Sequence, residues 1–407
     1  MRNENLRDKL GRFASLIGPQ EKPAHTPGPP GHYSELADEL GGVLCSNHCG
    51  SYCLIHDFCD TEEAYRRSSQ SHSRLSDELP VSAFRALDEP GLVALDSLLF
   101  LDIETTGLGG AGSVAFLIGC GSVVDKRFEV RQYLIPDYSD EAAMLEALMT
   151  EFSDCKSIVT YNGASFDLPL VLDRLIVNRV ARQIPRRDHF DLLHAARRLF
   201  KRRLDDCTLL NIERELLGLD RCDDLPGYLV PSAYFEWLST RRTDLIKAVL
   251  KHNKQDIVSL FHLAIEIATA FRSRGESLEN TDDLCSLARI YYRRRQYQRV
   301  ADLCFQMQMD GDGTLAPDIT LLCAGALKSM ADHRQAESLW LKLAALTSKE
   351  AYWANLELAK YYEHKLKDLK KALHHARMAQ SIAPRRKSYT EGLARRLKRL
   401  MAKSEAV

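Results

Sequence analysis

Several features that would place this 407-residue chain in a membrane or a strongly charged class are missing from it. No apolar run reaches the roughly 18 residues of a membrane-spanning helix. The first residues, MRNENLRDKLGRFASLIG, lack the apolar block of a signal peptide. The formal net charge is only -1, which excludes a uniformly basic nucleic-acid coat but leaves room for local basic patches. We therefore expect a cytoplasmic protein that does not associate with membranes.

The chain is long enough for two or three domains, and its composition divides it into four segments. Residues 1–40 include EKPAHTPGPPGH, which is rich in proline, glycine and polar residues and predicts a flexible arm. Residues 41–94 form a lead-in segment rich in cysteine and histidine. Residues 95–272 predict an α/β domain, and residues 280–403 predict an all-α domain with a basic C-terminal end.

The α/β prediction depends on alternating strand and helix patterns. SLLFLDIE, SVAFLIGCGSVV, RFEVRQYLI and KSIVTYN are typical of strands, and DEAAMLEALMTEF has helical spacing. Several helical patterns follow, the last a long one from about Thr243 to Phe271. This order predicts a mixed sheet flanked by helices.

The C-terminal segment contains a repeat. Ala288, Ala324 and Ala359 are spaced by 36 and 35 residues, and each precedes a second alanine by 12 or 13 residues. A period near 34 residues with small residues at helix contacts indicates tetratricopeptide-like repeats. The alternative is a helical bundle without repeats. Such repeats would bind a protein partner that the sequence does not identify.

Acidic residues occur at three points of the α/β segment. Asp102 and Glu104 lie two apart at the end of a buried strand, so both side chains point to one face. Asp167 follows a later strand at the start of a helix, where an N-cap is the simpler interpretation. His252 and Asp256 are four apart in a helix and therefore adjacent in space. A hydrogen-bonded pair without a role in chemistry is the alternative interpretation.

Together these residues supply four carboxylates and one potential base. This inventory suits phosphodiester hydrolysis with two divalent ions. Oxygen ligands favour Mg²⁺ or Mn²⁺ over softer metals. The sequence therefore predicts a metal site formed by Asp102, Glu104, Asp167 and Asp256.

The same segments resemble a known family. FLDIETTGL is similar to the first motif of the DnaQ-like DEDD exonucleases, YNGASFD matches the second, and HNKQD supplies the third. CTLLNIERELLG and RCDDLPGYLVPSAYFEW resemble the YprB-type RNase H-like branch. The resemblance covers about residues 95–270. It implies an RNase H-like fold and 3′-to-5′ exonuclease activity on DNA or RNA.

The resemblance also implies roles for individual residues. The four carboxylates would hold two metals, and His252 would be the general base. Only three residues separate His252 from Asp256, a spacing shorter than that of the histidine branch of the family. The residues implied in substrate binding are Thr105, Thr106, Gly107, Leu108, Asn162 and Phe166.

A second candidate metal site lies in CSNHCGSYCLIHDFC. Its possible Zn²⁺ ligands are Cys45, His48, Cys49, Cys53, His56 and Cys59. The spacing lacks paired C-x-x-C knuckles, and a strand pair with cysteine as a small apolar residue is the alternative.

Two other functions remain open on the sequence alone. One is an RNase H-like scaffold with weak or no catalysis that binds nucleic acid and acts through its repeats. The other is a phosphatase or nucleotide hydrolase. A complete carboxylate set favours the nuclease, because a degenerate fold need not retain it.

Overall fold

The computed structural model describes residues 30–60, 77–107, 112–221, 224–310, 314–383 and 387–405. The chain divides into two compact units, Met1–Ser273 and Arg274–Val407. No helix in the described ranges has the length and apolarity needed to cross a membrane.

A seven-stranded mixed sheet forms the centre of the N-terminal unit. Its order is β1-β2-β7-β6-β5-β8-β9, and β3 pairs with β4 in a separate ribbon. Strands β5, β8 and β9 are parallel, and the remaining neighbours are antiparallel. The strands are β1 (Gly42–Asn47), β2 (Gly50–Asp60), β3 (Glu78–Pro80), β4 (Leu92–Ala94), β5 (Leu98–Thr105), β6 (Ala115–Val124), β7 (Arg127–Leu134), β8 (Ser157–Thr160) and β9 (Asp188–Asp191).

Helices cover both faces of this sheet, as the sequence predicts. The helices of this unit are α1 (Pro30–Glu39), α2 (Val81–Phe84), α3 (Glu141–Asp154), α4 (Asp167–Val177), α5 (Leu192–Phe200), α6 (Leu209–Ile212), α7 (Val230–Thr240) and α8 (Thr243–Arg272). A π-helical turn, Glu213–Leu217, continues α6. Successive side chains of β7 point to opposite faces of the sheet and reach different helices. Tyr133 bonds Glu151 of α3, and Gln132 bonds the Leu250 carbonyl of α8.

The N-terminal segments differ from the prediction of a flexible arm and a separate lead-in. Residues 1–29 lie outside the described residues, but Pro30–Glu39 form a helix that buries Tyr33, Leu36 and Ala37. Strands β1 and β2 extend the same sheet as the predicted domain, because β2 pairs with β7. Apolar residues spaced by three or four positions give α1 a side that packs on the sheet, which the proline-rich composition around it obscures.

The C-terminal unit consists of helices. They are α9 (Thr281–Arg293), α10 (Tyr297–Asp310), α11 (Pro317–Ser329), α12 (His333–Ala344), α13 (Lys349–Tyr361), α14 (Leu369–Ser381) and α15 (Lys387–Glu405). Consecutive helices contact each other, and α11 also contacts α9 and α13. Ala288, Ala324 and Ala359 are fully buried on these three helices. Small residues thus lie at the helix contacts, while assignment to the tetratricopeptide class remains a prediction.

A buried carboxylate connects α15 to the helices before it. Glu363 lies in the π-helical turn Tyr362–Leu366 after α13, and its side chain is fully buried. It accepts hydrogen bonds from Arg396, Arg399 and Lys403 of α15. Against the opposing effect of burial, the hydrogen bonds from Arg399 and Lys403 lower the Glu363 pKa to about 2. Part of the basic C-terminal end therefore has a structural partner.

Candidate metal centre

The predicted acidic pair lies where β5 extends past its parallel neighbour. β5 pairs with β8 only from Leu98 to Phe100 but continues as a strand to Thr105. Asp102 and Glu104 occupy this extension and share one face of the strand. The backbone of the extension on the β8 side is therefore open to another element.

Asp167 fills this opening. It is the first residue of α4, and its carboxylate accepts a hydrogen bond from the Ile103 amide, between the two acidic residues of β5. The loop before it is held by Asp191, which accepts hydrogen bonds from the amides of Asn162 (2.8 Å) and Ala164 (3.2 Å). Asp191 also caps α5 through the Leu193 amide. It therefore positions the loop that carries Asp167.

Two glycines of β6 bring α8 close to the acidic pair. A Cβ atom at Gly119 would lie 2.3 Å from Oδ1 of Asn253, and one at Gly121 would lie 2.6 Å from a side-chain carbon of Ile257. Only glycine permits this approach of helix to strand. Asn253 is fully buried there, and its Nδ2 donates to Oδ2 of Asp102 at 2.8 Å. Gln132 fixes the amide by donating to its Oδ1 at 2.8 Å.

The close packing of α8 places His252 and Asp256 beside Glu104. His252 Nε2 is 4.0 Å from Oε1 of Glu104 and 3.6 Å from Oδ2 of Asp256. Its other ring nitrogen, Nδ1, lies 3.0 Å from both carboxylate oxygens of Asp224. Asp224 therefore orients the imidazole so that Nε2 faces the acidic cluster.

Arg221 lies on the same side of the cluster as Asp224. Its guanidinium donates to Glu213 at 2.5 and 2.6 Å, to Asp224 at 2.9 Å, and to Oδ1 of Asp256. The Arg221 side chain is buried, and the adjacent negative charges raise its pKa against the effect of burial. One oxygen of Asp256 is thus paired with a fixed cation, and the other faces His252.

The carboxylates repel one another, which changes their pKa values. Burial and the charges of Asp256 and Glu104 raise the pKa of Asp102 well above its usual range. Burial raises the pKa of Glu104 to about 7, although the His252 charge opposes this change. Burial and the Asp191 charge raise the pKa of Asp167 to about 7. Such a cluster is short of positive charge.

The same charges act in the opposite direction on His252. Although burial lowers its pKa, the hydrogen bond to Asp224 and the charges of Asp256 and Glu104 raise it to about 9. Burial raises the pKa of Asp224, but its bonds to His252 and Arg221 outweigh this effect and lower it. The His252–Asp224 pair is therefore charged at neutral pH in the absence of another cation.

The donor atoms of the cluster fit a hard divalent cation. Among the described residues, ligand atoms of Glu104, His252 and Asp256 lie within 4.8 Å of one another. Asp102 and Asp167 interact electrostatically with the same group. Carboxylate oxygens are preferred by Mg²⁺ and Mn²⁺, and an added cation would relieve the repulsion that raises the carboxylate pKa values. The predicted carboxylates therefore lie in one cluster.

The residues implied in substrate binding surround the strand end and the Asp167 loop. Thr105 donates to the Gly107 carbonyl, and Thr106 accepts from the Val114 amide at 3.0 Å. Both hydroxyls therefore have bonds within the loop. Leu108 lies outside the described residues.

Asn162 and Phe166 belong to the loop that carries Asp167. Asn162 adopts a left-handed conformation (φ 65°), which asparagine tolerates better than most residues. The Phe166 ring is 60% exposed and directly precedes Asp167. An exposed ring beside an acidic cluster is available for stacking on a base.

Four further residues support the cluster and are absent from the sequence prediction. Asn253 holds Asp102 and is itself held by Gln132, whereas Arg221 bonds Asp256 and Asp224 bonds His252. The residues joined by these four contacts lie 28 to 151 positions apart along the chain. Asn253 follows His252 directly, and this adjacency is the one local signal that points to it.

The cysteine- and histidine-rich segment forms the β1–β2 hairpin, which was the alternative to a zinc site. Cys53 is buried between the hairpin and the core, as a small apolar residue. Among the described residues, no four of the six predicted zinc ligands converge. His48 and Cys49 instead lie close to Glu146 of α3.

One family model and proteins of known sequence or structure match this chain. Residues 99–268 match the RNase H superfamily model. The chain is 37% identical over 347 residues to the uncharacterized protein YprB of Bacillus subtilis (strain 168), covering 82% of this chain and 81% of that protein. A family B DNA polymerase from Pyrobaculum calidifontis superposes with a TM-score of 0.35 at 16% identity, over 50% of this chain and 29% of that one.

The seven-stranded sheet, its flanking helices and the matched residues define an RNase H superfamily domain. Domains of this superfamily usually act on the phosphodiester bonds of nucleic acids and commonly bind divalent metals. The identity to the Bacillus subtilis protein extends well beyond this domain. The chain belongs to the YprB family.

Proposed function

We propose that this protein is a metal-dependent nuclease, a 3′-to-5′ exonuclease that hydrolyses DNA or RNA with Mg²⁺ or Mn²⁺. The observation that carries the proposal is the convergence of Asp102, Glu104, Asp167 and Asp256 from one strand end and two helices, with raised pKa values at three of them. A degenerate fold would not be expected to retain repulsive carboxylates that destabilise it. The polarity of cleavage follows from the resemblance to the DEDD exonucleases.

The carboxylates Asp102, Glu104, Asp167 and Asp256 would hold two divalent ions. When bound, these ions would stabilise the attacking and leaving oxygens of a phosphodiester. The Asn253 amide keeps Asp102 directed into the cluster, and Arg221 keeps one oxygen of Asp256 paired so that the other remains available. The protein's own contribution is therefore to orient ligands on rigid strands and helices.

His252 is proposed as the general base. Its Nδ1–H is held by Asp224, which leaves Nε2 directed at the cluster. A base must be neutral to accept a proton, whereas the uncompensated carboxylates raise the His252 pKa to about 9. Positive charge added among the same carboxylates lowers that pKa by the same electrostatic effect. His252 would then accept a proton from water at its Nε2.

The exposed Phe166 ring supports a polymer substrate over a small phosphate ester. Phe166 directly precedes Asp167, and its ring packs little against the protein, because it is 60% exposed. Stacking on a terminal base would cover it and contributes about 1–3 kcal/mol per base in single-strand binding proteins. A phosphatase acting on small esters would make no use of such a ring.

We further propose that the helical C-terminal unit binds a protein partner.

The test is cleavage of single-stranded DNA and RNA labelled at either the 3′ or the 5′ end, with Mn²⁺. We expect stepwise loss from the 3′ end that EDTA abolishes. The double variant Asp102→Ala/Glu104→Ala should be inactive. Asp244→Asn is the matched control, because Asp244 is an exposed carboxylate on the same helix as Asp256.

Two outcomes of this experiment would contradict the exonuclease proposal. If the wild type cleaves no polymer but binds one, the exonuclease proposal is wrong and the scaffold function replaces it. If it cleaves internally, the fold and metal proposals stand and only the exonuclease class is lost.

A further inference from the structure

A second group of metal-ligating side chains lies at the tip of the β1–β2 hairpin, apart from the acidic cluster. His48, Cys49 and Glu146 bring an imidazole nitrogen, a thiol and a carboxylate oxygen within 4.8 Å of one another. His48 Nδ1 and Glu146 Oε2 are 3.4 Å apart. A thiol, an imidazole and a carboxylate together form a ligand set that suits Zn²⁺ and does not suit Mg²⁺.

The distances require little movement to close around an ion. In a tetrahedral zinc site with bonds of about 2.0–2.3 Å, ligand atoms are separated by about 3.3–3.6 Å. The His48–Glu146 distance already falls in this range, and the longest separation in the group is at most 4.8 Å. A rotation of the exposed His48 side chain or of the half-buried Cys49 side chain covers the difference.

The hairpin tip is fastened to the start of α3 from both sides, which holds the ligands at this separation. Asn47 donates to the Ala143 carbonyl at 2.9 Å, and its Oδ1 accepts from the Cys49 amide at 2.9 Å. The Ser51 amide donates to Asp140 at 2.9 Å. The residue between Cys49 and Ser51, Gly50 (φ 139°), permits the contact of the hairpin tip with Asp140. Any larger residue would place a Cβ atom 2.7 Å from Oδ1 of Asp140.

We propose that His48, Cys49 and Glu146 bind one Zn²⁺ ion, which connects the hairpin to α3. His48 is 78% exposed, so the fourth coordination position faces solvent and is open to water. This site is independent of the proposed nuclease activity. It also uses Glu146, a ligand that the cysteine and histidine spacing does not predict.

The test uses Co²⁺ as a spectroscopic substitute for Zn²⁺ in the full chain, after chelator treatment and with excess Mg²⁺. The acidic cluster has no sulfur ligand, so a thiolate-to-cobalt charge-transfer band reports only a cysteine site. We expect the band to saturate at one equivalent, to disappear in Cys49→Ser, and to require roughly tenfold or more Co²⁺ in Glu146→Gln. It should persist in Asp102→Ala/Glu104→Ala.

Cys59→Ser is the matched control, because Cys59 is another half-buried cysteine of the same hairpin. Its band should equal that of the wild type. Absence of the band in the wild type, or its persistence in Cys49→Ser, would overturn the proposal. Loss of the band in Cys59→Ser or Cys45→Ser with retention in Cys49→Ser would assign the metal to other cysteines and also overturn it.

Discussion

The acidic cluster of the N-terminal unit contains six carboxylates and two cations. In the C-terminal unit the ratio is reversed, because three cations bond one carboxylate, Glu363. In the first, Arg221 and His252 contact a group with an excess of four negative charges when all are ionised. Its acidic members are Asp102, Glu104, Asp167, Glu213, Asp224 and Asp256. In the second, Glu363 bonds Arg396, Arg399 and Lys403.

The pKa changes follow this difference in sign. The pKa values of Glu104 and Asp167 are raised to about 7, and that of Glu363 is lowered to about 2. All three groups are at least partly buried, so burial does not separate the two cases. What separates them is whether the folded chain itself supplies the compensating charge. A cluster left short of cations is a site for one, and a carboxylate with several cationic partners is a structural element.

The largest expected effect is on catalysis. Asp256→Asn should reduce cleavage by on the order of 10³-fold, equivalent to about 4 kcal/mol of transition-state stabilisation. The reason is that a charged metal ligand is lost and that Arg221 loses its ion pair with residue 256. Steady-state cleavage of the preferred labelled strand measures this effect. Asp244→Asn on the same helix should cleave at the wild-type rate, and equal activity of the two variants would contradict the role of Asp256.

The next effect concerns stability of the C-terminal unit. Glu363→Gln removes the charge that three cations share and leaves them close together. We expect amides of Lys387–Glu405 to exchange faster, with a local loss of roughly 2 kcal/mol. Hydrogen bonds to charged groups contribute about 1.5–3 kcal/mol, and two of the cations, Arg399 and Lys403, are about half exposed. Hydrogen exchange measured by mass spectrometry resolves this helix. Unchanged protection of α15 would show that the ion pairs do not hold it.

The same carboxylate predicts a pH dependence. Its pKa is lowered from an ordinary 4.5 to about 2 in the folded protein, so its stabilising contribution is fully present above pH 4.5. That contribution is lost as the pH falls from 4.5 through 2, because the unfolded state takes up the proton first. Protection of α15 should therefore decrease over this window in the wild type. In Glu363→Gln this component of the decrease should be absent.

A smaller effect is expected where a neutral residue supports the metal ligands. Asn253→Ala removes the hydrogen bond to Asp102 while leaving every carboxylate in place. Such supporting residues typically change metal affinity or activity by about 10- to 100-fold. Mn²⁺ titration of the cleavage rate should show a higher metal requirement. Gln255→Ala is the control, because Gln255 lies two positions along α8 and its side-chain amide donates to Ser259 of the same helix.

The smallest expected effect is a change in thermal stability whose sign depends on whether a metal ion is present. In EDTA, Asp102→Asn should stabilise the protein, because it removes one of the repelling carboxylates while still accepting from Asn253. A gain near 1 kcal/mol corresponds to about 2–4 °C in Tm for a unit of this size. With Mg²⁺ the wild type should gain stability and the variant should not. A lower Tm of Asp102→Asn in EDTA would contradict the repulsion.

Local patterns predict most of the sheet and helices. The strands containing Asp102 and Phe116 and the long helix α8 are confirmed, because buried strands and helices have apolar periods visible over eight or more residues. The strand β9 has only four residues, Asp188–Asp191, three of them polar. So short a polar strand has no pattern of its own, and only its pairing with β8 makes it a strand.

The sequence by itself determined the order of the acidic motifs, the face shared by Asp102 and Glu104, and the adjacency of His252 and Asp256 on a helix. These are consequences of strand and helix periods, which act over a few residues. Only the tertiary structure decided that Arg221 pairs with Asp256, that Asp224 orients His252, and that Glu146 joins His48 and Cys49. Those contacts join residues about 30 to 100 positions apart, and no local period relates them. They depend on how the helices pack on the sheet.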